Sequence, residues 1–277
     1  MTLTANRYGK SRVRIMRVVR GATNGVSELS VQCMLEGDFA AAYSGPSNKS
    51  VVATDSIKNI INITARQHLD ATPEAYCIHL AEFFLTHYPQ VARVIVTTNE
   101  TRWTRLNIAG HPHPHSFVLD PNGTPTVRLE KTRQTQTLHS GIEGFTFMKS
   151  TGAGWVDYVM DEFTTLPETQ DRIVATSMKA EWLWTAPPAD PAGTADAIIT
   201  AMLTEFATTY SHGVQDSLYR MGQAALTAAP DITEITIACP NKHYLPINLA
   251  PFGLSADNMV FTPTDEPHGQ IECTIRR

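Results

Sequence analysis

Residues 29–36 read LSVQCMLE. Leu29, Val31, Cys33 and Leu35 alternate with Ser30, Gln32, Met34 and Glu36, so one side of an extended chain is wholly apolar. Period two is the signature of a half-buried strand. Upstream, RVRIMRVVR has the composition of a partner strand, and the Gly and Asn of RGATNGVSE supply the turn. A hairpin therefore opens the chain. Downstream, a helix is expected from about 55 to 67, then a second in TPEAYCIHLAEFFLTHY. Thr72 suits its N-cap, Pro73 its first position and Glu74 its electropositive end. Tyr76, Leu80, Phe83, Phe84 and Tyr88 fall on one broad side. ARVIVTTN and TRWTRLNIAG then read as strands.

The second half repeats this order. GIEGFTFMKS and IVATSMKAEWLW read as strands, and TADAIITAMLTEFATTY and VQDSLYRMGQAALTAA as helices, the latter stopped by Pro230. ITEITIAC and KHYLPINL read as closing strands, with Pro246 pointing to an edge or a bulge. Strand-strand-helix-helix-strand-strand, twice, is an architectural repeat without evident identity between the halves. Hairpins imply a mainly antiparallel sheet with helices on one face, an α+β fold. The units are set at residues 1–138 and 139–277. A free sheet face favours self-association.

Composition narrows the function. The 277 residues are 42% hydrophobic and 18% charged, with a formal net charge of −5. That balance suits a soluble globular protein and disfavours nucleic acid as a partner. No apolar run reaches the length of a signal peptide or a membrane span. Cys33, Cys77, Cys239 and Cys273 are widely spaced, with no CxxC pair, as expected of reduced thiols in a cytoplasmic protein. The ending TIRR lacks a Ser-Lys-Leu type address.

Six polar stretches stand out. In YGKSRV, Lys10 is either a solvated lysine at a strand start or a desolvated one that exchanges protons near neutral pH. In VVATDSIKN, Thr54 or Asp55 is expected as a helix N-cap, at an end that also suits an anion. In GHPHPHSF, His111, His113 and His115 alternate; on one strand face they would form a metal site, and as an edge segment they would be structural. Arg172 in TTLPETQDR is either salt-bridged or a planar fork for a carbonyl or anion. Gln215 lies in the first turn of a helix, and exposure is the ordinary fate of a glutamine. In CPNKHYLPINL, Asn241 and His243 share a face if the segment is a strand.

YGK, VVATDSIKN, RWTR, HPHSF, TTLPETQDR, the VQ before a helical MG, and PNKHY stand in the order found in urate oxidases, which this chain resembles from about residue 7 onward. The resemblance implies two tandem tunnelling-fold units, a homotetramer whose sheets close into an oligomeric barrel, and no metal or organic cofactor. It implies urate and dioxygen as substrates, and 5-hydroxyisourate and hydrogen peroxide as products. It carries Lys10, Thr54 and His243 to a proton relay, with His243 orienting Lys10. Arg172 and Gln215 become the clamps on the purine. Val214 and Asp55 become packing or backbone contacts, and Asn241 the amide beside dioxygen. Trp155 stands where the family stacks a phenylalanine. Lys10, Thr54 and Asp55 would come from one chain and the remaining residues from its neighbour. Two other readings remain: a metal-dependent hydrolase built on HPHPH, and a purine-binding protein without turnover.

Overall fold

The opening hairpin forms as expected. In the computed structural model, which describes residues 1–69, 72–255 and 258–277, β1 (Tyr8–Val19) pairs antiparallel with β2 (Gly25–Gly37). Leu29, Val31, Cys33 and Leu35 are buried, as the alternation requires. A short α1 (Ala40–Ser44) follows, then α2 (Thr54–His68), α3 (Pro73–His87), β3 (Val91–Thr101), β4 (Trp103–Ile108), β5 (His111–Leu119), β6 (Thr124–Thr132) and β7 (Gln136–Lys149). The chain continues through β8 (Val174–Trp184), α4 (Pro191–Thr208), α5 (Val214–Ala228), β9 (Ile232–Pro246), a short 3-10 turn at Ala250–Phe252 and β10 (Phe261–Arg276). No described helix is long and apolar enough to cross a membrane.

Two compact units divide the chain. The first comprises Met1–Ile142 with Leu183–Pro191, and the second Glu143–Trp182 with Ala192–Arg277. In the first, β2 pairs with β1 and β3, and β3 with β6, all antiparallel. Helices α2 and α3 pack against these strands. Ile57, Ile61, Tyr76, Leu80 and Phe84 meet the apolar face of β2 and β3 as a buried core. Each such side chain contributes roughly 1.5–3 kcal/mol. Tyr76 also donates its hydroxyl to Ile61 O (3.1 Å), tying α3 to α2. In the second unit β9 and β10 are antiparallel and α5 packs on both. Gly222 permits that approach, because a Cβ there would lie 2.1 Å from Ile275 Cδ1.

Three expectations are corrected. Ala53, not Thr54 or Asp55, is the N-cap of α2; Thr54 and Asp55 are its first two residues. ITEITIAC and KHYLPINL are one continuous strand, β9, and its partner is a C-terminal strand of polar composition, β10. Phe83 is exposed and stacks on His87 (5.3 Å) instead of joining the buried side of α3.

The halves also correspond in the length and placement of their second helix, with three identities near its end. Helix α3 (Pro73–His87) and helix α5 (Val214–Ala228) are each 15 residues long, and each leads into a strand after three intervening residues. Leu85, Thr86 and Pro89 recur as Leu226, Thr227 and Pro230. An arginine closes both helices: Arg133 donates to Leu85 O (2.7 Å) and Val91 O (2.7 Å), and Arg277 to Ala229 O (3.1 Å) and Ile232 O (3.0 Å). In this alignment Thr72, Glu74 and Glu100 answer to Gly213, Gln215 and Asn241.

Candidate active site

The second unit holds a cavity of about 580 Å³, within the range of small-molecule pockets. Trp155, Arg172, Val214, Gln215, Asn241 and His243 all line it. Several elements converge to build it. Trp155 lies in an irregular segment, held by paired backbone bonds with Thr169 (2.8 and 3.0 Å). The backbone N–H of Arg172 donates to Ala153 O (2.9 Å), and its Nε to Gly154 O (3.2 Å). No carboxylate pairs with it among the described residues, so the salt-bridged reading of Arg172 is set aside. Its two terminal nitrogens make no hydrogen bond among the described residues, leaving one edge of a planar fork unspent. Burial pulls the guanidinium down from its ordinary value, yet arginine stays charged in proteins. It lies 5.9 Å from the Trp155 ring centroid.

Val214 and Gln215 are the first two residues of α5, which follows Gly213 with no side-chain cap. The free N–H groups of this end therefore point outward with a partial positive charge. The Gln215 side chain is exposed and forms no hydrogen bond among the described residues. Asn241 and His243 are two apart on β9, opposite Gly269 and Thr264 of β10. Between those pairs the register shifts, and the bulge gives the strand end a local bend.

Lys10, Thr54 and Asp55 gather in the first unit. Lys10 is half-buried, and the strand register slips directly after it, between Lys10 and Val13. Bulges of this kind re-aim neighbouring side chains. Because Ala53 is the N-cap, the Thr54 hydroxyl is not used for capping and forms no hydrogen bond among the described residues. The Asp55 carboxylate accepts from Lys58 and from Asn59 Nδ2 (3.1 Å). It is held below its ordinary value first by the Lys58 hydrogen bond, with a smaller contribution from the charge of Lys10. The Asp55 side chain is thus engaged within its own helix, and its backbone N–H is one of the free donors at the helix end.

Sequence reasoning missed two residues that pack against Trp155. Tyr158 stacks against Trp155 (5.5 Å, 15° between planes). Gly213 makes room for the indole, since a Cβ there would lie 2.9 Å from Trp155 Cζ3. A glycine just before VQ was a usable signal; the Tyr158 contact depends on a loop no periodicity describes. The HPHPH histidines lie on β5, in a two-stranded sheet with β4. His113 stacks edge-on to His115 (4.6 Å), and Arg105 donates to His113 O (2.8 Å) and Pro114 O (2.9 Å). Among the described residues no three ligand-type side chains group as a metal site would need.

Comparison with known proteins finds one family. The family model described as Uricase matches residues 6–130 and 138–272. The uricase of Arthrobacter globiformis is 36% identical, over all of this chain and 90% of its own length. That of Emericella nidulans is 37% identical, over all of this chain and 97% of its own. The crystal structure of the Arthrobacter globiformis uricase superposes with a TM-score of 0.95, covering all of this chain and 95% of the other.

Proposed function

The chain belongs to the uricase family, and from that membership we infer that it oxidises urate with dioxygen. The observation that carries the reading is the pocket of the second unit. An unpaired guanidinium edge, an unpaired amide and an indole face line one cavity. Urate is a flat anion rimmed with carbonyls and N–H groups. Arg172 donates two parallel hydrogen bonds to one edge of it. Gln215 pairs with the other edge, Trp155 stacks on its face, and Val214 adds packing and an N–H at the start of α5.

The reaction runs without a metal or an organic cofactor. Loss of protons makes urate an electron-rich dianion. It gives two electrons to dioxygen, which takes up two protons and leaves as hydrogen peroxide. Water adds at C5 to give 5-hydroxyisourate. The protein supplies positioning, proton transfer and exclusion of bulk water. Lys10 accepts a proton through the Thr54 hydroxyl, His243 orients Lys10, and Asn241 holds dioxygen or water above the ring. The chain associates as a homotetramer in which Lys10, Thr54 and Asp55 of one copy meet the pocket of another. This follows from what the family resemblance implies, with the family itself matched over residues 6–130 and 138–272. Four free thiols, three of them buried, suit a reducing, cytoplasmic setting.

Incubation of chelator-treated protein with urate and oxygen tests the reading. Loss of urate absorbance with stoichiometric peroxide is expected. Urate bound tightly but never consumed would replace the oxidase with a binding protein, and activity restored only by added metal would refute the cofactor-free mechanism.

A further inference from the structure

Tyr8 stands two residues before Lys10, and Val52 two residues before Thr54. The Val52 N–H donates to the Tyr8 hydroxyl oxygen at 2.7 Å, across 44 positions of sequence. The Tyr8 ring is itself fixed, meeting Phe39 edge-on at 4.8 Å and 89°. Phe39 is fully buried. Between Tyr8 and Lys10, Gly9 lies so close to β2 that a Cβ would stand 1.9 Å from Cys33 O. The start of β1 therefore has no slack. The segment 51–53 is neither helix nor strand, and it leads into α2 without a capping side chain. Gln90 anchors Ser50 (2.9 Å) from the far side. Among the described hydrogen bonds, the one from Val52 to Tyr8 ties this segment to the strand that carries Lys10.

We propose that Tyr8 is a positioning residue of the reaction. Its hydroxyl fixes the segment entering α2 against the start of β1 and so sets the spacing of the Thr54 hydroxyl and the Lys10 amine. The proposal rests on the roles given to Lys10 and Thr54 under the proposed function. Proton transfer through a hydroxyl needs heavy atoms within hydrogen-bond reach, and a misplacement of about 1 Å costs on the order of 10²-fold in rate. Burial raises the Tyr8 phenol, an effect partly opposed by the Val52 N–H. The group accordingly remains a neutral acceptor at working pH.

Four proteins test this: wild type, Tyr8→Phe, Lys10→Met and the double variant. Tyr8→Phe keeps the ring on Phe39 and removes only the acceptor. Expected is a fall of about tenfold in kcat, with KM for urate within about twofold, since the side chains that clamp urate, Arg172, Gln215 and Trp155, lie in the other unit. On the Lys10→Met background Tyr8→Phe should change kcat no further. Tyr43→Phe is the control: it removes a hydroxyl bonded to Arg7 O (3.1 Å) on the same approach to β1, and should leave kcat unchanged. Wild-type kcat in Tyr8→Phe, equal losses on both backgrounds, or an equal loss in Tyr43→Phe would each overturn the inference. An unchanged rate in Lys10→Met would instead overturn the relay itself. If Tyr8→Phe does not fold, Phe39→Leu loosens the same ring while keeping the hydroxyl. Its loss of kcat should likewise vanish on the Lys10→Met background, and a loss that persists there refutes the proposal.

Discussion

Replacing Gly213 with alanine should damage the pocket chiefly through its contact with the indole, the Gln215 Oε1 lying farther off at 3.3 Å. The added Cβ would lie 2.9 Å from Trp155 Cζ3, whereas ordinary contact begins near 3.4 Å. The indole or the first turn of α5 must therefore yield by about half an ångström. The backbone itself accepts alanine, because φ at Gly213 is −173°, ordinary extended chain. Overpacking of this kind costs about 1–3 kcal/mol, or roughly 5- to 150-fold when felt in binding. A fall of about tenfold in kcat/KM for urate is expected. Phenylalanine has no counterpart of Cζ3, so on a Trp155→Phe background the same alanine should cost less than about twofold. Steady-state kinetics on the four proteins give the coupling energy directly, expected near 1 kcal/mol. Equal costs on both backgrounds would show that the glycine serves the helix end and not the indole.

Arg172→Lys replaces a two-pronged donor by a point charge and should lower kcat/KM by about 10²-fold, carried mostly by KM; a twofold effect would remove Arg172 from the urate edge. Glu100→Gln should stabilise the protein in a pH-dependent way. Burial, aided by the charge of Glu74, raises the Glu100 carboxyl to about 6. An acid raised in the folded state is more readily ionised when unfolded, so stability falls as pH rises from 4.5 to about 6. The amide should then gain about 2 kcal/mol above pH 6, at 1.36 kcal/mol per pH unit, and nothing below pH 4.5. Melting curves at pH 4.5 and pH 8 check this, and an equal gain at both would contradict it. Calorimetric titration with a urate analogue should count one site per chain; two sites would mean that the first unit also binds purine.

The parts of this molecule that were legible in the sequence are those in which a few neighbouring residues decide the outcome. The alternation at Leu29–Leu35, the Thr72–Pro73–Glu74 helix start and the stop at Pro230 needed no distant partner. Thr72 does accept from Ala75 N (3.1 Å). The N-cap of α2 failed for the opposite reason. The chain leading into that helix is held by Tyr8, far away in sequence, so the two adjacent capping candidates, Thr54 and Asp55, could not reveal that alanine takes the place. Strand β10 was hidden because it is polar throughout much of its length, its conformation coming from hydrogen bonds to β9. In the site, Arg172, Gln215, Asn241 and His243 were found through their resemblance to family motifs. Tyr158 and Gly213 belong to the packing around Trp155, which only a three-dimensional arrangement can express.

The matched starts of α3 and α5 show what duplication permits. In the second copy Gln215 and Asn241 line an open cavity, and Gly213 leaves room for the Trp155 indole. In the first, Glu74 accepts from the Ser140 hydroxyl (2.6 Å), which in turn accepts from Trp184 Nε1 (2.8 Å). The same architectural position has become an internal strut in one half and an open mouth in the other. Two carboxylates, Glu74 and Glu100, also make the start of α3 hostile to a purine anion. Natural variation at these two helix starts is consequently under separate constraints. On the proposed function, changes near Glu74 are expected to register as altered folding stability and changes near Gln215 as altered affinity, so each half can drift without forfeiting what the other preserves.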